Sequence, residues 1–207
     1  MPGRLHARLR PLGESARRLA HAGAAVVIAT WANAVTAIRT VACCVMFAVA
    51  AADNSTAWNV AGLITFWLLD IADGWLARRL HQETRLGAQF DILADRLLVA
   101  LFYMNHLSWH HDLILPIALF LVQFMLLDHY LSNQFLRFNL VSPNYFHRVD
   151  RIIWLLNWSA PAKLANTALV TTLLVAVRAP GWATAATLAL VAVKVYSLGR
   201  LLARCGG

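Results

Sequence analysis

The chain has 207 residues, 60% of them hydrophobic and 14% charged, with eight Trp and a mean hydropathy of +0.59. A soluble domain carries roughly 25% charged residues, so this composition excludes a water-facing surface, and the apolar content excludes a disordered chain. The net charge of +8 is spread between long apolar runs, which fits membrane-flanking charge rather than a nucleic-acid partner, and three cysteines make no disulfide scaffold.

The first stretch, Met1 to about Gly23, carries Arg4, Arg8, Arg10, Arg17 and Arg18 with Leu5, Leu9, Leu12 and Leu19 between them. No apolar h-region precedes the end of the arginines, so it does not read as a cleavable signal peptide. Residues 1–30 are predicted to form a basic amphipathic juxtamembrane segment on an anionic cytoplasmic leaflet. Pro2, Gly3, Pro11 and Gly13 interrupt it and leave a disordered basic tail as the alternative.

Six apolar spans follow, at about 31–52, 57–79, 86–108, 112–138, 159–178 and 181–203. Each is near the roughly 20 residues that a bilayer requires. Between the fourth and fifth, Asn139 to Trp158 mixes Pro143, Arg148, Asp150 and Arg151 with Ile152, Ile153, Leu155 and Leu156, and reads as a partly interfacial connection. Trp31, Trp58, Trp109 and Trp182 fall near span ends, as aromatic belts do. One side collects the N-terminal arginines, Arg78, Arg79, Arg85, Arg137, Arg148, Arg151, Arg200 and Arg204; the other has Asp53, His110, His111, Asp112 and Arg178. The positive-inside rule then puts both termini in the cytoplasm, for a multi-pass protein of the cell membrane. The fold class is all-α integral membrane: six transmembrane helices in one domain over 31–207, with an N-terminal amphipathic surface helix.

The second and third spans hold what a membrane segment should not. Leu69 to Arg96 reads LDIADGWLARRLHQETRLGAQFDILADR and places Asp70, Asp73, Asp91 and Asp95 in or beside apolar spans. Each costs about 2.5–3.5 kcal/mol at a helix centre, so such residues are expected to face an interior cavity and to carry function. On a helix Asp70, Asp73, Gly74 and Ala77 share a sector of roughly 100°, and Gly87, Asp91 and Asp95 step by about 40° along one stripe. A short turn at Gln82, Glu83 and Thr84 makes the two helices antiparallel neighbours, and Gly74, Ala77 and Gly87 leave room between them. Four carboxylates suit a hard divalent cation that shares its shell with substrate phosphates, Mg²⁺ or Mn²⁺. No P-loop motif is present. Buried Asp–Arg pairs with Arg78, Arg79 and Arg96 are the purely structural alternative, which leaves the clustered small residues unexplained.

Asp70-x-x-Asp73-Gly74-x-x-Ala77-Arg78 followed by Gly87-x-x-x-Asp91-x-x-x-Asp95 resembles the complete signature of the CDP-alcohol phosphatidyltransferases. Asn33-Ala-Val-Thr36-Ala-Ile-Arg39 is similar to the opening of phosphatidylglycerophosphate synthases and related cardiolipin synthases, with Ala32 in place of the proline and Val35 in place of Leu or Ile. The resemblance implies six spans, cytoplasmic termini, a homodimer, and transfer of a phosphatidyl group from CDP-diacylglycerol to an alcohol with release of CMP. It implies that Asp70, Asp73 and Asp91 hold metal and that Asp95 lies near the attacking hydroxyl, as base, ligand or both. Asn33, Thr36, Arg39, Asp73, Gly74, Ala77, Arg78 and Gly87 would meet the CDP-lipid. Arg39 either contacts phosphate there or snorkels to the cytoplasmic surface.

Arg137, Arg148, Arg151 and Lys163 are the candidate acceptor-binding residues. Several cations favour an acceptor that bears a phosphate: glycerol 3-phosphate first, an inositol phosphate second. Ala162-Lys163-Leu-Ala-Asn166 is similar to a stretch of the glycerophosphate enzymes, with Leu164 where Thr is usual. Asp128 and His129 either line the same cavity or pack as a polar pair. Cardiolipin synthase is the alternative within the family. A divalent-cation transporter is the alternative outside it, but it predicts carboxylates on several helices around a pore, not on two neighbours.

Overall fold

The computed structural model describes residues 30–205, so the predicted segment over 1–30 lies almost wholly outside the described residues. All regular structure in it is helical. Helix α1 is Trp31–Ala52, α2 is Thr56–Arg79 and α3 is Arg85–Trp109. Each starts on a hydroxyl N-cap: Thr30, Ser55 and Thr84 accept from the backbone N–H of Asn33, Trp58 and Gly87. The α2–α3 turn closes on His81, whose φ of 56° lies in the left-handed region. Helix α4, His111–Leu136, opens on a 3₁₀ turn and contains a π-helical stretch at Gln123–Asp128. A 3₁₀ segment at Pro143–Arg148 leads to α5, Arg151–Asn157. Helix α6 covers 160–176 with two π-helical stretches, and α7 is Pro180–Cys205.

Two apolar clusters hold the bundle. The larger joins Phe47 of α1, Phe66 of α2, Phe102 of α3, Phe120 of α4, Leu174 of α6 and Ala183 of α7. The smaller packs Phe146, Ile153 and Trp158 of the connection on Leu131 and Leu201. Close approach of α1 and α2 needs Gly62, where a Cβ would lie 2.7 Å from Phe47 Cε1. Several core polar groups pair internally: Asn105 Nδ2 donates to Phe47 O at 2.8 Å, and Tyr103 OH meets Thr171 Oγ1 at 2.8 Å. Lipid leaves them no other partner. Ile38, Leu68, Ile71, Met104 and Leu126 point outward and stay exposed, a surface suited to hydrocarbon.

By length and composition, four described helices can cross a membrane: Trp31–Ala52, Thr56–Arg79, His111–Leu136 and Pro180–Arg204. The expectation of six spans is thus met in part. Helix α3 is long enough, but Asp91, Asp95, Arg96, Asn105 and His106 dilute its apolar character. Helix α6 is short and carries Lys163 and Asn166.

Candidate active site

Three helices bring their polar residues to one point. Helix α1 contributes Thr36 and Arg39, α2 contributes Asp70 and Asp73, and α3 contributes Asp91 and Asp95. Arg39 is fully buried at the centre. Its Nη1 donates to Asp70 Oδ1 at 2.5 Å and lies 3.4 Å from Asp73 Oδ2. Its Nη2 donates to Asp91 Oδ1 at 2.7 Å and to Asp95 Oδ1 at 3.1 Å. Thr36 Oγ1 donates to Asp73 Oδ2 at 2.9 Å. The spacing of α1 against α3 depends on Gly87: a Cβ there would lie 2.6 Å from Asn33 Oδ1 and 2.9 Å from Thr84 Oγ1.

One guanidinium faces four carboxylates, so three negative charges remain uncompensated when all are ionised. Asp73 is buried and the other three are partly exposed at the cavity wall, and carboxylates crowded in this way favour a further cation. Asp70, Asp91 and Asp95 each offer an oxygen within 4.8 Å of the others. An all-oxygen, anionic donor set of this kind fits a hard divalent ion, so the residues present fit the metal that the sequence suggested. Asp73 stands apart from the three. It is buried and turned to Thr36 and Arg39, whereas the sequence reading grouped all four.

Two cavities meet at this cluster. The first, with about 500 Å³ of open space, is lined by Asn33, Thr36, Asp73, Gly74, Ala77, Arg78, Gly87 and Asp91, and closed by Gln82, Glu83 and Thr84. Seven of the eight residues expected to meet a CDP-lipid line it; Arg39 sits behind, on the carboxylates. The second cavity, with about 960 Å³ of open space that includes solvent at its mouth, runs from Asp70, Asp91 and Asp95 to Arg96, Asp128, Lys163, Asn166 and Thr167. Ala88, Asp91, Ser142 and Asn144 line both.

Of the four acceptor candidates, Lys163 reaches the second cavity, where its Nζ donates to Asn144 Oδ1 at 2.7 Å. Arg137, Arg148 and Arg151 are exposed and line neither cavity; Arg148 stacks over Tyr145, 4.8 Å from the ring centre. The sequence reading missed a buried triad: Asp128 of α4 bonds Arg96 of α3 and Lys194 of α7, and Arg96 lies 3.7 Å from the centre of the Phe124 ring. Of the two expectations for Asp128, lining the cavity or pairing with His129, the structure supports the first: it lines the second cavity and bonds Arg96 and Lys194. Lys194 deep in an apolar span was the available signal.

The connection 139–158 closes the Glu83 end of the first cavity by side-chain bonds. Tyr145 OH donates to Glu83 Oε2 at 2.6 Å, a bond that, with burial, pushes the phenol pKa above its ordinary value. Burial works against the Asp150 carboxylate. The N–H of Ile153, Arg200 and the N–H of Ile152 outweigh it and hold its pKa below the usual range. Arg200 and Arg204 approach Asp150 Oδ2 at 2.9 and 2.8 Å, which fastens the connection to α7.

The family model for CDP-alcohol phosphatidyltransferases matches residues 29–196. No match is found among the curated proteins or the solved structures.

Proposed function

The chain belongs to the CDP-alcohol phosphatidyltransferase family, and from that premise we propose that it moves a phosphatidyl group from CDP-diacylglycerol to a small phosphorylated alcohol, glycerol 3-phosphate first, with release of CMP. Members of this family are transferases of phospholipid biosynthesis that use a divalent metal ion. The observation that carries the finer reading is the pair of cavities sharing Asp91: one lined by the small residues and Arg78, the other by Lys163, Arg96 and amide side chains. A two-substrate transfer needs two compartments with the reacting atoms at their junction.

Asp70, Asp91 and Asp95 would hold the metal, Mg²⁺ or Mn²⁺, with Asp73 behind them. When bound, the ion withdraws charge from the phosphoryl oxygens and stabilises the departing CMP. Gly74 and Ala77 leave space for the cytidine, Arg78 and Asn33 offer donors to the diphosphate, and Thr36 holds Asp73 in place. The second cavity takes the acceptor, with Lys163 as the partner of its phosphate. Asp95 accepts the proton of the attacking hydroxyl. A bond then forms between that oxygen and the phosphatidyl phosphorus, and the bond from phosphorus to CMP breaks.

Residues 31–207 form the catalytic domain in this reading, and α3 and α6 cross the membrane beside the four more apolar helices. The polar face of α3 turns to the cavities and not to lipid. Both termini lie in the cytoplasm, which the Arg distribution supports, and the basic 1–30 segment rests on that leaflet. A homodimer is part of the same proposal, supported by family resemblance and by small residues in the spans.

The experiment is CMP release by purified protein given CDP-diacylglycerol, Mg²⁺ or Mn²⁺, and a panel of glycerol 3-phosphate, inositol phosphate, inositol, serine and phosphatidylglycerol. Turnover with glycerol 3-phosphate above all others is expected. Preference for an acceptor without a phosphate monoester contradicts the acceptor assignment, and no CMP with any acceptor contradicts the reading as a whole.

A further inference from the structure

We propose that Arg39 and a divalent cation compete for the same three carboxylates, so that Arg39 sets the cation affinity of the site and leaves the carboxylates when the cation binds. This inference rests on the metal-site reading above. Arg39 donates to Asp70, Asp91 and Asp95, the same residues whose oxygens converge within 4.8 Å of one another. A Mg²⁺ ion bonds its oxygens at roughly 2.0–2.1 Å and demands near-octahedral geometry, so its ligands must turn their lone pairs to one centre. A guanidinium that holds one oxygen of each residue at 2.5–3.1 Å fixes those carboxylates in another arrangement. Like charges also repel, and the guanidinium and an ion on these oxygens would lie within a few ångströms of each other.

Arg39 gives up something to stay where it is. Its Nε is buried and makes no hydrogen bond among the described residues. A planar fork with five donors is suited to phosphate as well as to carboxylate. Thr36, one helical turn earlier on α1, already lines the first cavity. Asp73, 3.4 Å from Nη1, can stay with a displaced guanidinium, and the diphosphate of the donor is the next anion within its reach. Cation binding and donor binding become coupled through one side chain: the cation takes the carboxylates and the donor takes the arginine.

The test is Mn²⁺ titration of the full-length protein in detergent, with free ion counted by electron paramagnetic resonance, for wild type, Arg39→Gln and Asp91→Asn. Arg39→Gln is expected to bind Mn²⁺ at least about tenfold more tightly than wild type, the scale of one lost charge-assisted competitor. Its melting temperature should also rise more on adding Mn²⁺, because Asp70, Asp91 and Asp95, left without the guanidinium, gain more from the ion. Asp91→Asn should lose Mn²⁺. Unchanged or weaker Mn²⁺ binding in Arg39→Gln, with wild type binding and Asp91→Asn not, overturns the competition and makes Arg39 a scaffold for its ligands, while the metal site stands. Absence of Mn²⁺ binding in wild type overturns the metal site and the competition together. Should Arg39→Gln not fold, Arg39→Lys replaces it: a single ammonium bridges fewer carboxylates, so intermediate tightening is expected, and equal or weaker binding again contradicts the proposal.

Discussion

Lys163 and Thr36 show how differently two polar side chains serve the same site. Lys163 is exposed at the mouth of the second cavity and held by Asn144. If it meets the acceptor phosphate, Lys163→Gln loses a charge-assisted hydrogen bond of about 1.5–3 kcal/mol and raises the acceptor KM about 10- to 150-fold, with the KM for CDP-diacylglycerol unchanged. Steady-state kinetics with both substrates varied checks this. Arg148→Gln and Arg151→Gln, off the cavity, are expected to change it by about twofold at most. Thr36 is buried and acts through Asp73. Thr36→Val removes the 2.9 Å bond and leaves a buried carboxylate short of a donor, which costs about 1–3 kcal/mol; a fall in kcat/KM of at least about fivefold is expected. The aspartates were legible in the sequence because carboxylates are rare in apolar spans and their spacing fixes one face of each helix. Arg39 was legible as the end of the α1 motif, as a phosphate contact or a snorkelling residue, but its pairing with the carboxylates was not. Its four partners lie 31 to 56 residues away, and the rotation of α1 about its axis is decided by packing.

At the level of helices, the α1–α3 contact and the fastening of the connection are the two joints that shape the cavities. Gly87→Ala puts a methyl 2.6 Å from Asn33 Oδ1 at a place where both neighbours are polar atoms of the first cavity. The expected outcome is a raised KM for CDP-diacylglycerol, with Mn²⁺ affinity altered less, measured by kinetics and by titration. Asp150 caps α5 and binds Arg200 and Arg204. Its folded pKa is depressed, so its contribution is complete above the unfolded value of about 3.9 and is lost as pH falls through the folded value. Thermal melts should therefore drop as pH is lowered through about 4, and Asp150→Asn, which keeps a good N-cap, should flatten part of that dependence. The helix boundaries themselves followed from hydropathy: 31–52, 57–79 and 86–108 were expected where α1, α2 and α3 lie. The number of spans did not follow as cleanly, because α3 spends its hydropathy on the carboxylates that line the site. The π-helical stretches of α4 and α6 had no sequence mark, since they depend on local accommodation between packed helices.

Across the whole molecule, the buried triad of Arg96, Asp128 and Lys194 joins α3, α4 and α7 at the wall of the second cavity. Its members are 32 and 66 residues apart, too far for periodicity to reveal. The lining of the first cavity, in contrast, was nearly all legible, because its residues fall in short motifs on three consecutive helices. That difference separates the two cavities: the first is lined by neighbouring motifs, the second by residues from distant parts of the chain. It also singles out Asp91, which lines both cavities and sits in the carboxylate cluster. The most direct measurement is joint quantification of CMP and lipid product from CDP-diacylglycerol and glycerol 3-phosphate by wild type and Asp91→Asn, both verified as folded by thermal melt. Wild type is expected to form CMP and phosphatidylglycerophosphate in equal amounts, and Asp91→Asn to be at least about a hundredfold slower, the scale of a lost electrostatic contact to the transition state. Equal rates in the two proteins, or CMP released without a lipid product, would contradict the placement of phosphatidyl transfer at the junction of the two cavities.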